Sequence, residues 1–361
     1  MTAPLHIVEP TLTGDAGHCH SLVRALAGAA APRADLTVWA GVQAAAFWQG
    51  PGRLAPIFKR HWRRLQAFWL LRRLLRQPGR ILVATAGTAD LVIADWAAQG
   101  LIPPHKLFMF VHWLNAKPAK ARRLAAIARR QPHLEILAPS PSVADFFRRC
   151  GFRATVVPYP LEPQPALAAA AMPLFKHLLV AGAARLDKGF AQVVDLVVEM
   201  QQRGLDWPIT VQTSVEQRHQ HDPLLGQQLA RLRATGFAAL RMPDQAMDPA
   251  AYRALFDGAI VVQPYRAQDF QDRISGVTLD ALSAGCPVVV TAGTWAARLV
   301  QRFDAGIATD DLSANGLLRA IAPIRQDFAR YARNAQQAAA SVRAKHSAQG
   351  LIDVVLAEAQ P

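Results

Sequence analysis

Residues 265–291 read YRAQDFQDRISGVTLDALSAGCPVVVT and place two carboxylates, Asp272 and Asp280, eight positions apart with Ser275-Gly276 between them. Serine is a preferred helix N-cap, because its oxygen accepts a bond from a first-turn amide. Glycine lets a ligand approach the backbone, and the positive end of a helix holds phosphate. Asp280 then falls about one turn inside the helix and Asp272 stays outside on the loop. The two acids address different parts of one ligand, with a phosphate between them and sugar hydroxyls as natural carboxylate partners. The same residues also serve as an ordinary helix cap with two surface acids. A second segment, VAGAARLDKGF at 180–190, puts Arg185 and Lys188 just after an expected strand, where two cations could converge on an anion or lie in a solvated turn. In the first half, TGDAGHCH at 13–20 puts Gly17 and His18 in a glycine loop opening a helix, with His20 an ordinary helix residue. Within FMFVHWLN at 108–115, His112 closes a strand expected at 106–112, where a histidine can be buried and satisfied by backbone.

Groups at strand ends need strands, and the chain supplies them. Short apolar runs alternate with amphipathic segments nearly throughout, which implies parallel strands with crossover helices on both sheet faces. The expected strands are 5–9, 35–40, 80–85, 106–112, 134–138 and 154–158, then 177–182, 207–213, 237–241, 258–263, 286–291 and 305–309. Helices are expected at 18–30, 117–131, 142–150, 188–203, 223–233, 249–257, 275–284 and 294–303, with a wholly helical tail over about 316–361. The proline-rich stretch 159–175 reads as a linker, with Tyr159 and Glu162 in a hinge. The fold class is α/β: two doubly wound, Rossmann-like domains across a cleft, 1–164 and 165–339, with the C-terminal helix of about 340–361 packing back on the first. Ligands of such sheets bind beyond the carboxyl ends of the strands.

The 361 residues suit two domains, and 52% are apolar, enough for two cores. The start lacks the pattern of a secretory leader, and no run is long and apolar enough to span a bilayer. Three scattered cysteines with no CxxC or Cys/His cluster fit a reducing, cytoplasmic setting and argue against a metal site. The acids at 308–312 read as a capping turn. A formal charge of +14 points to anionic partners. The most basic stretch, 56–80, has Phe58, Trp62, Leu65 and Trp69 at helical spacing among lysines and arginines, with no acid. A basic helix of this kind suits an anionic membrane surface, and equally suits packing on the first sheet with its arginines in water. No recognition module supports nucleic acid.

The order VVQPY…SG…LDALSAGCPVVVT…TW…LV…AGI resembles the C-terminal domain of family 4 glycosyltransferases of the GT-B fold. The resemblance is strong in the second half and architectural in the first. It implies that Asp272 contacts the donor sugar, Asp280 the nucleotide ribose, Arg185 and Lys188 the donor diphosphate with Ser275 and Gly276 beside it, and His112 the donor sugar, while Gly17 and His18 border the cleft. Asp272 and His112 are thereby the catalytic candidates. The sequence departs from the family pattern in having aspartates where glutamates are usual, Arg273 inside the motif, and a shorter Arg–Lys spacing. The implied activity is transfer of a sugar from a nucleotide-diphosphate sugar to an envelope glycan, exopolysaccharide or lipid-linked acceptor. It would be retaining, without metal or cofactor, in the cytoplasm or peripheral on the inner face of the membrane. A nucleotide-sugar epimerase and a non-catalytic scaffold of polysaccharide assembly stand as alternatives.

Overall fold

The computed structural model describes residues 3–15, 18–112, 118–162, 174–215, 221–245 and 247–357. The chain divides into two compact units, 1–163 with 345–361, and 164–344.

The first unit contains β1 (Pro4–Glu9), β2 (Asp35–Gly41), β3 (Arg53–Phe58), β4 (Arg80–Val83), β5 (Leu107–Phe110), β6 (Glu135–Ala138) and β7 (Arg153–Val156). Its helices are α1 (His18–Ala30), α2 (Arg63–Leu74), α3 (Thr88–Ala98), α4 (Pro118–Arg130) and α5 (Pro141–Arg149). The seven strands are all parallel, in the order β3-β2-β1-β4-β5-β6-β7. Central strands such as β5, Leu-Phe-Met-Phe, are buried at every position, as expected of a sheet covered on both faces. One core packs Ile81, Val83 and Met109 against Leu71, Leu91, Leu124 and Phe147 of the helices.

The second unit contains β8 (His177–Val180), β9 (Ile209–Val211), β10 (Leu240–Arg241), β11 (Ala259–Gln263), β12 (Val288–Thr291) and β13 (Gly306–Thr309). Its helices are α6 (Phe190–Gln202), α7 (Pro223–Ala234), α8 (Pro249–Ala254), α9 (Ala267–Phe270), α10 (Gly276–Ser283), α11 (Trp295–Arg302), α12 (Ala314–Gln326) and α13 (Phe328–Lys345). The sheet is again parallel, in the order β10-β9-β8-β11-β12-β13. The winding reverses between β8 and β11, so the loops after these two strands flank a topological switch point. The chain then returns to the first unit, where α14 (Ala348–Leu356) packs on α1.

The structure corrects the single basic helix expected over 56–80. Residues through Phe58 belong to edge strand β3, paired to β2, and the helix proper is α2. Phe58 is buried at the end of that strand and is no part of a helical stripe. The tail, expected to be wholly helical, consists of the three helices α12, α13 and α14. Ser313 caps α12 by accepting from Gly316 N (3.1 Å), and Asp311 accepts from Ser313 N (3.0 Å), the capping turn expected at 308–312. Most of the linker, 163–173, lies outside the described residues.

Candidate functional site

Two loops and one helix start build the site of the second unit. After β8 the chain turns through Gly182 (φ +90°) and a short helical turn, Leu186–Lys188, to Gly189 (φ +73°). A Cβ at Gly189 would lie 2.0 Å from Pro264 O, so only glycine lets this loop press against the end of β11. After β11, the loop from Pro264 leads through α9 to Ser275, the N-cap of α10, whose Oγ accepts from Thr278 N (3.2 Å). Thr278 Oγ1 donates to Gln263 Oε1 (2.6 Å), tying the helix start to the strand end. The buried Nε2 of Gln263 has no hydrogen-bond partner among the described residues. The space beside Gly276 is open.

Three cations gather on one carboxylate here. Arg185 is buried, and its guanidinium grips Asp187 through Nε–H to Oδ1 (2.8 Å) and a second, shorter bond to Oδ2. Arg273 Nη1 stands 3.7 Å from Asp187 Oδ2, with its guanidinium over the Phe270 ring at 4.8 Å. Lys188 Nζ lies 5.9 Å from the Tyr265 ring centroid, in a small hollow lined by Gly182, Arg185, Gln212 and Tyr265. Burial resists ionisation of Asp187, but the Arg185 hydrogen bond and the charges of Arg185, Arg273 and Lys188 outweigh it and hold the carboxyl below its ordinary range. Tyr265 is buried and its phenol is pushed up to about 12 by that burial.

The two aspartates of the opening motif part company. Asp280 is half-buried on α10, its carboxyl pushed up to about 6 by burial, and it accepts from Tyr252 OH of α8 (3.1 Å). Asp272 stands on the exposed loop and pairs with Arg298 Nη2 (2.9 Å) of α11, which also donates to Gln271 O (2.9 Å). Arg185, Lys188, Ser275 and Gly276 thus flank the switch point together, Asp280 follows one turn into α10, and Asp272 is engaged elsewhere. Sequence reasoning missed Asp187 and Tyr252, and gave Arg273 no role. Asp187 stood inside the quoted segment two residues after Arg185. Tyr252 carried no signal, being joined to Asp280 only by the fold.

In the first unit, His112 lies two residues beyond β5, half-buried, its ring centroid 6.2 Å from Phe110 and 6.3 Å from Tyr159. Gly17 lies outside the described residues, and His18 is the first residue of α1. Glu162 pairs with Arg24 (3.1 Å). At the switch point of this sheet Glu9 ends β1 fully buried, accepting from Thr11 N (3.0 Å), Thr11 Oγ1 and Thr85 Oγ1 (both 2.5 Å). Burial raises its carboxyl above the usual range.

No family model matches the chain, and no curated protein sequence matches it. Solved structures do. Sucrose-phosphate synthase from Thermosynechococcus elongatus is 16% identical with a TM-score of 0.68, over 98% of either chain. HepE from Anabaena, in complex with UDP and glucose, is 15% identical with a TM-score of 0.71, over 98% of this chain and 99% of that one. WaaG, a glycosyltransferase involved in lipopolysaccharide biosynthesis, is 14% identical with a TM-score of 0.64, over 98% of this chain and 100% of that one. With the two parallel sheets, these likenesses establish the fold as GT-B.

Proposed function

We propose that this protein is a glycosyltransferase that takes its sugar from a nucleotide diphosphate held on the second unit. The observation that carries the reading is the convergence of Arg185, Lys188 and Arg273 on one internal carboxylate at the switch point, beside the start of α10. A diphosphate has the charge and oxygens to take the place of Asp187 among those cations. The cations would also stabilise the nucleotide diphosphate as it leaves the sugar, where negative charge develops in the transition state. We assign Asp280 to the ribose hydroxyls, with Tyr252 donating to the same carboxylate. Asp272 and His112 keep their assignment to the sugar, Asp272 exchanging its bond to Arg298 for the ligand. Solved structures of similar fold support the donor class, since HepE was captured with UDP-glucose. We assign a retaining, metal-independent transfer, on the family resemblance of the motif. An envelope glycan, exopolysaccharide or lipid-linked glycan is the acceptor class we assign, with the enzyme peripheral on the inner face of the membrane. No helix among the described residues is long and apolar enough to cross a bilayer.

Thermal unfolding with UDP, GDP, ADP, dTDP and CMP, and with their sugar conjugates, tests the reading. A ligand at a hundredfold excess over its Kd raises the unfolding temperature by roughly 5–10 °C for units of this size. The shift should appear with one nucleotide and disappear in Lys188→Ala and in Asp280→Ala. Silence across the whole panel overturns the donor site. Binding without glycosyl transfer to any polysaccharide or lipid-linked acceptor favours the scaffold.

A further inference from the structure

Helix α2 carries two apolar stripes. Ala67, Leu70, Leu71 and Leu74 are buried against the first sheet. Trp62, Leu65 and Trp69 lie on the opposite side and are 61%, 51% and 58% exposed. The neighbouring helix α3 adds Trp96 at 64%, and the loop after it adds Leu101 at 67%. Among the described residues eight large apolar side chains are this exposed, and five of them belong to these two helices and their flanks. Single exposed apolar residues are ordinary, but a cluster spanning two packed helices marks an interaction face.

The stretch of chain that carries the cluster is strongly basic. Between Asp35 and Glu135 the sequence holds sixteen lysines and arginines and only two acids, Asp90 and Asp95. Neither acid offsets the outward charge. Asp90 turns back to accept from Gly87 N (2.8 Å), and Asp95 is buried and held by Arg130 Nη2 (2.6 Å) and Gln131 Nε2 (3.2 Å). Lys59, Arg60, Arg63, Arg64, Arg73 and Arg76 are all exposed. The face is also held in place. Gln66 accepts from Lys59 N (2.8 Å) and donates to Ile57 O (2.8 Å), which pins the start of α2 to edge strand β3. Arg76 donates to Gln99 Oε1 (3.0 Å), joining the end of α2 to the end of α3.

We propose that this face seats the protein on an anionic lipid bilayer, with the three tryptophans and Leu65 entering the headgroup boundary and the arginines meeting lipid phosphates. Tryptophan suits that boundary because one edge is polar and the ring is apolar. Arginine can bury its stem along the same apolar surface while its guanidinium stays at the phosphate level. A nucleic acid would satisfy the arginines but offers a phosphate backbone, not an apolar seat, to Leu65, Leu101 and the indoles of two helices. A second copy of the chain would bring like charge against like. The inference rests on the peripheral placement proposed above and names the face that makes it, while the transfer chemistry is tested separately.

The test is flotation of the full-length protein with vesicles of phosphatidylcholine alone and of phosphatidylcholine with about a third phosphatidylglycerol, near physiological salt. The protein should float with the anionic vesicles only, with a blue shift of tryptophan emission and quenching by brominated lipids. Trp62→Ser/Trp69→Ser should lower partition on the order of tenfold or more, leaving nucleotide-dependent stabilisation intact. Each of Arg60→Gln and Arg63→Gln should lower it about fivefold. The proposal fails if the wild-type protein stays at the bottom of the gradient. It fails too if the brominated lipids do not quench the wild-type tryptophans, a readout that needs no variant. Unchanged partition of the folded double-tryptophan variant reduces the interaction to bare charge and overturns the insertion. A homodimer in vesicle-free buffer that the same variant dissolves gives the face to a second copy, and tighter binding to RNA or DNA than to vesicles gives it to nucleic acid.

Discussion

Asp280 carries its own pH signature. Its carboxyl is held up to about 6 in the folded chain against about 3.8 in an open one. A raised folded value means that the protonated form favours folding. That contribution is fully present below the unfolded value and is lost as pH rises through 6. Urea unfolding of wild type and Asp280→Asn from pH 3.5 to 7.5 should therefore show the wild type falling relative to the variant between about pH 4 and 6, and level above. Tyr252 donates to the carboxylate and opposes the shift, so Tyr252→Phe should move the midpoint above 6. Asp187 makes the opposite kind of residue-scale prediction. Asp187→Asn takes away the anion that the buried Arg185 grips and should cost about 1–3 kcal/mol in ligand-free unfolding. It also removes the competitor for the cations, so pyrophosphate should bind more tightly and raise the unfolding temperature more steeply than in wild type. Equal pyrophosphate dependence in both proteins would show that Asp187 does not occupy the phosphate position.

At the scale of elements, the loop after β8 depends on one glycine. Gly189→Ala forces a side chain into a positive-φ position against Pro264 O and should cost about 2–4 kcal/mol in urea unfolding. Nucleotide binding should weaken with it, because Lys188 precedes the turn. The loop was legible in the sequence, since Arg185, Lys188, Ser275 and Asp280 all follow apolar runs that read as buried parallel strands. The pairing of Asp280 with Tyr252 was not, because 28 residues and two other elements separate them. Edge strand β3 was hidden for a related reason. It pairs on one side only, is largely half-exposed, and carries Pro56, which an edge tolerates. Its sequence Arg-Leu-Ala-Pro-Ile-Phe therefore lacks the unbroken apolar run of a central strand and ran on into the helical period that follows. Helical spacing made the stripe of Trp62, Leu65 and Trp69 legible, but only the fold shows that the other stripe, with Leu70 and Leu74, is the one facing the core.

For the whole molecule, buried acids and buried histidines set opposing responses to acid within both units. In the first, burial lowers His6 and His346 to about 4 from an ordinary 6.5. Their neutral forms favour folding, a contribution present above 6.5 and lost as pH falls through 4. Glu9 in the first unit and Asp280 in the second, both raised by burial, run the other way, while His177 of the second unit, lowered by burial, runs with the two histidines. Differential scanning calorimetry from pH 7 to 4 should show the histidine loss as a movement of unfolding to lower temperature. His346→Gln should reduce that movement. His346 belongs to the returning segment, where its Nδ1 meets Tyr159 O (3.2 Å) and its carbonyl accepts from Leu161 N (2.7 Å).

That return has a consequence for how the chain is made. Leu351, Ile352 and Val355 of α14 are buried in the first unit, and Asp353 pairs with Arg33 (2.5 Å) just beyond α1. The ribosome delivers α1 before the second unit and α14 after it. The emerging first unit therefore waits with part of its apolar surface uncovered. The unit that emerges first is the later of the two to be completed, and nascent-chain helpers have an extended opportunity on α1.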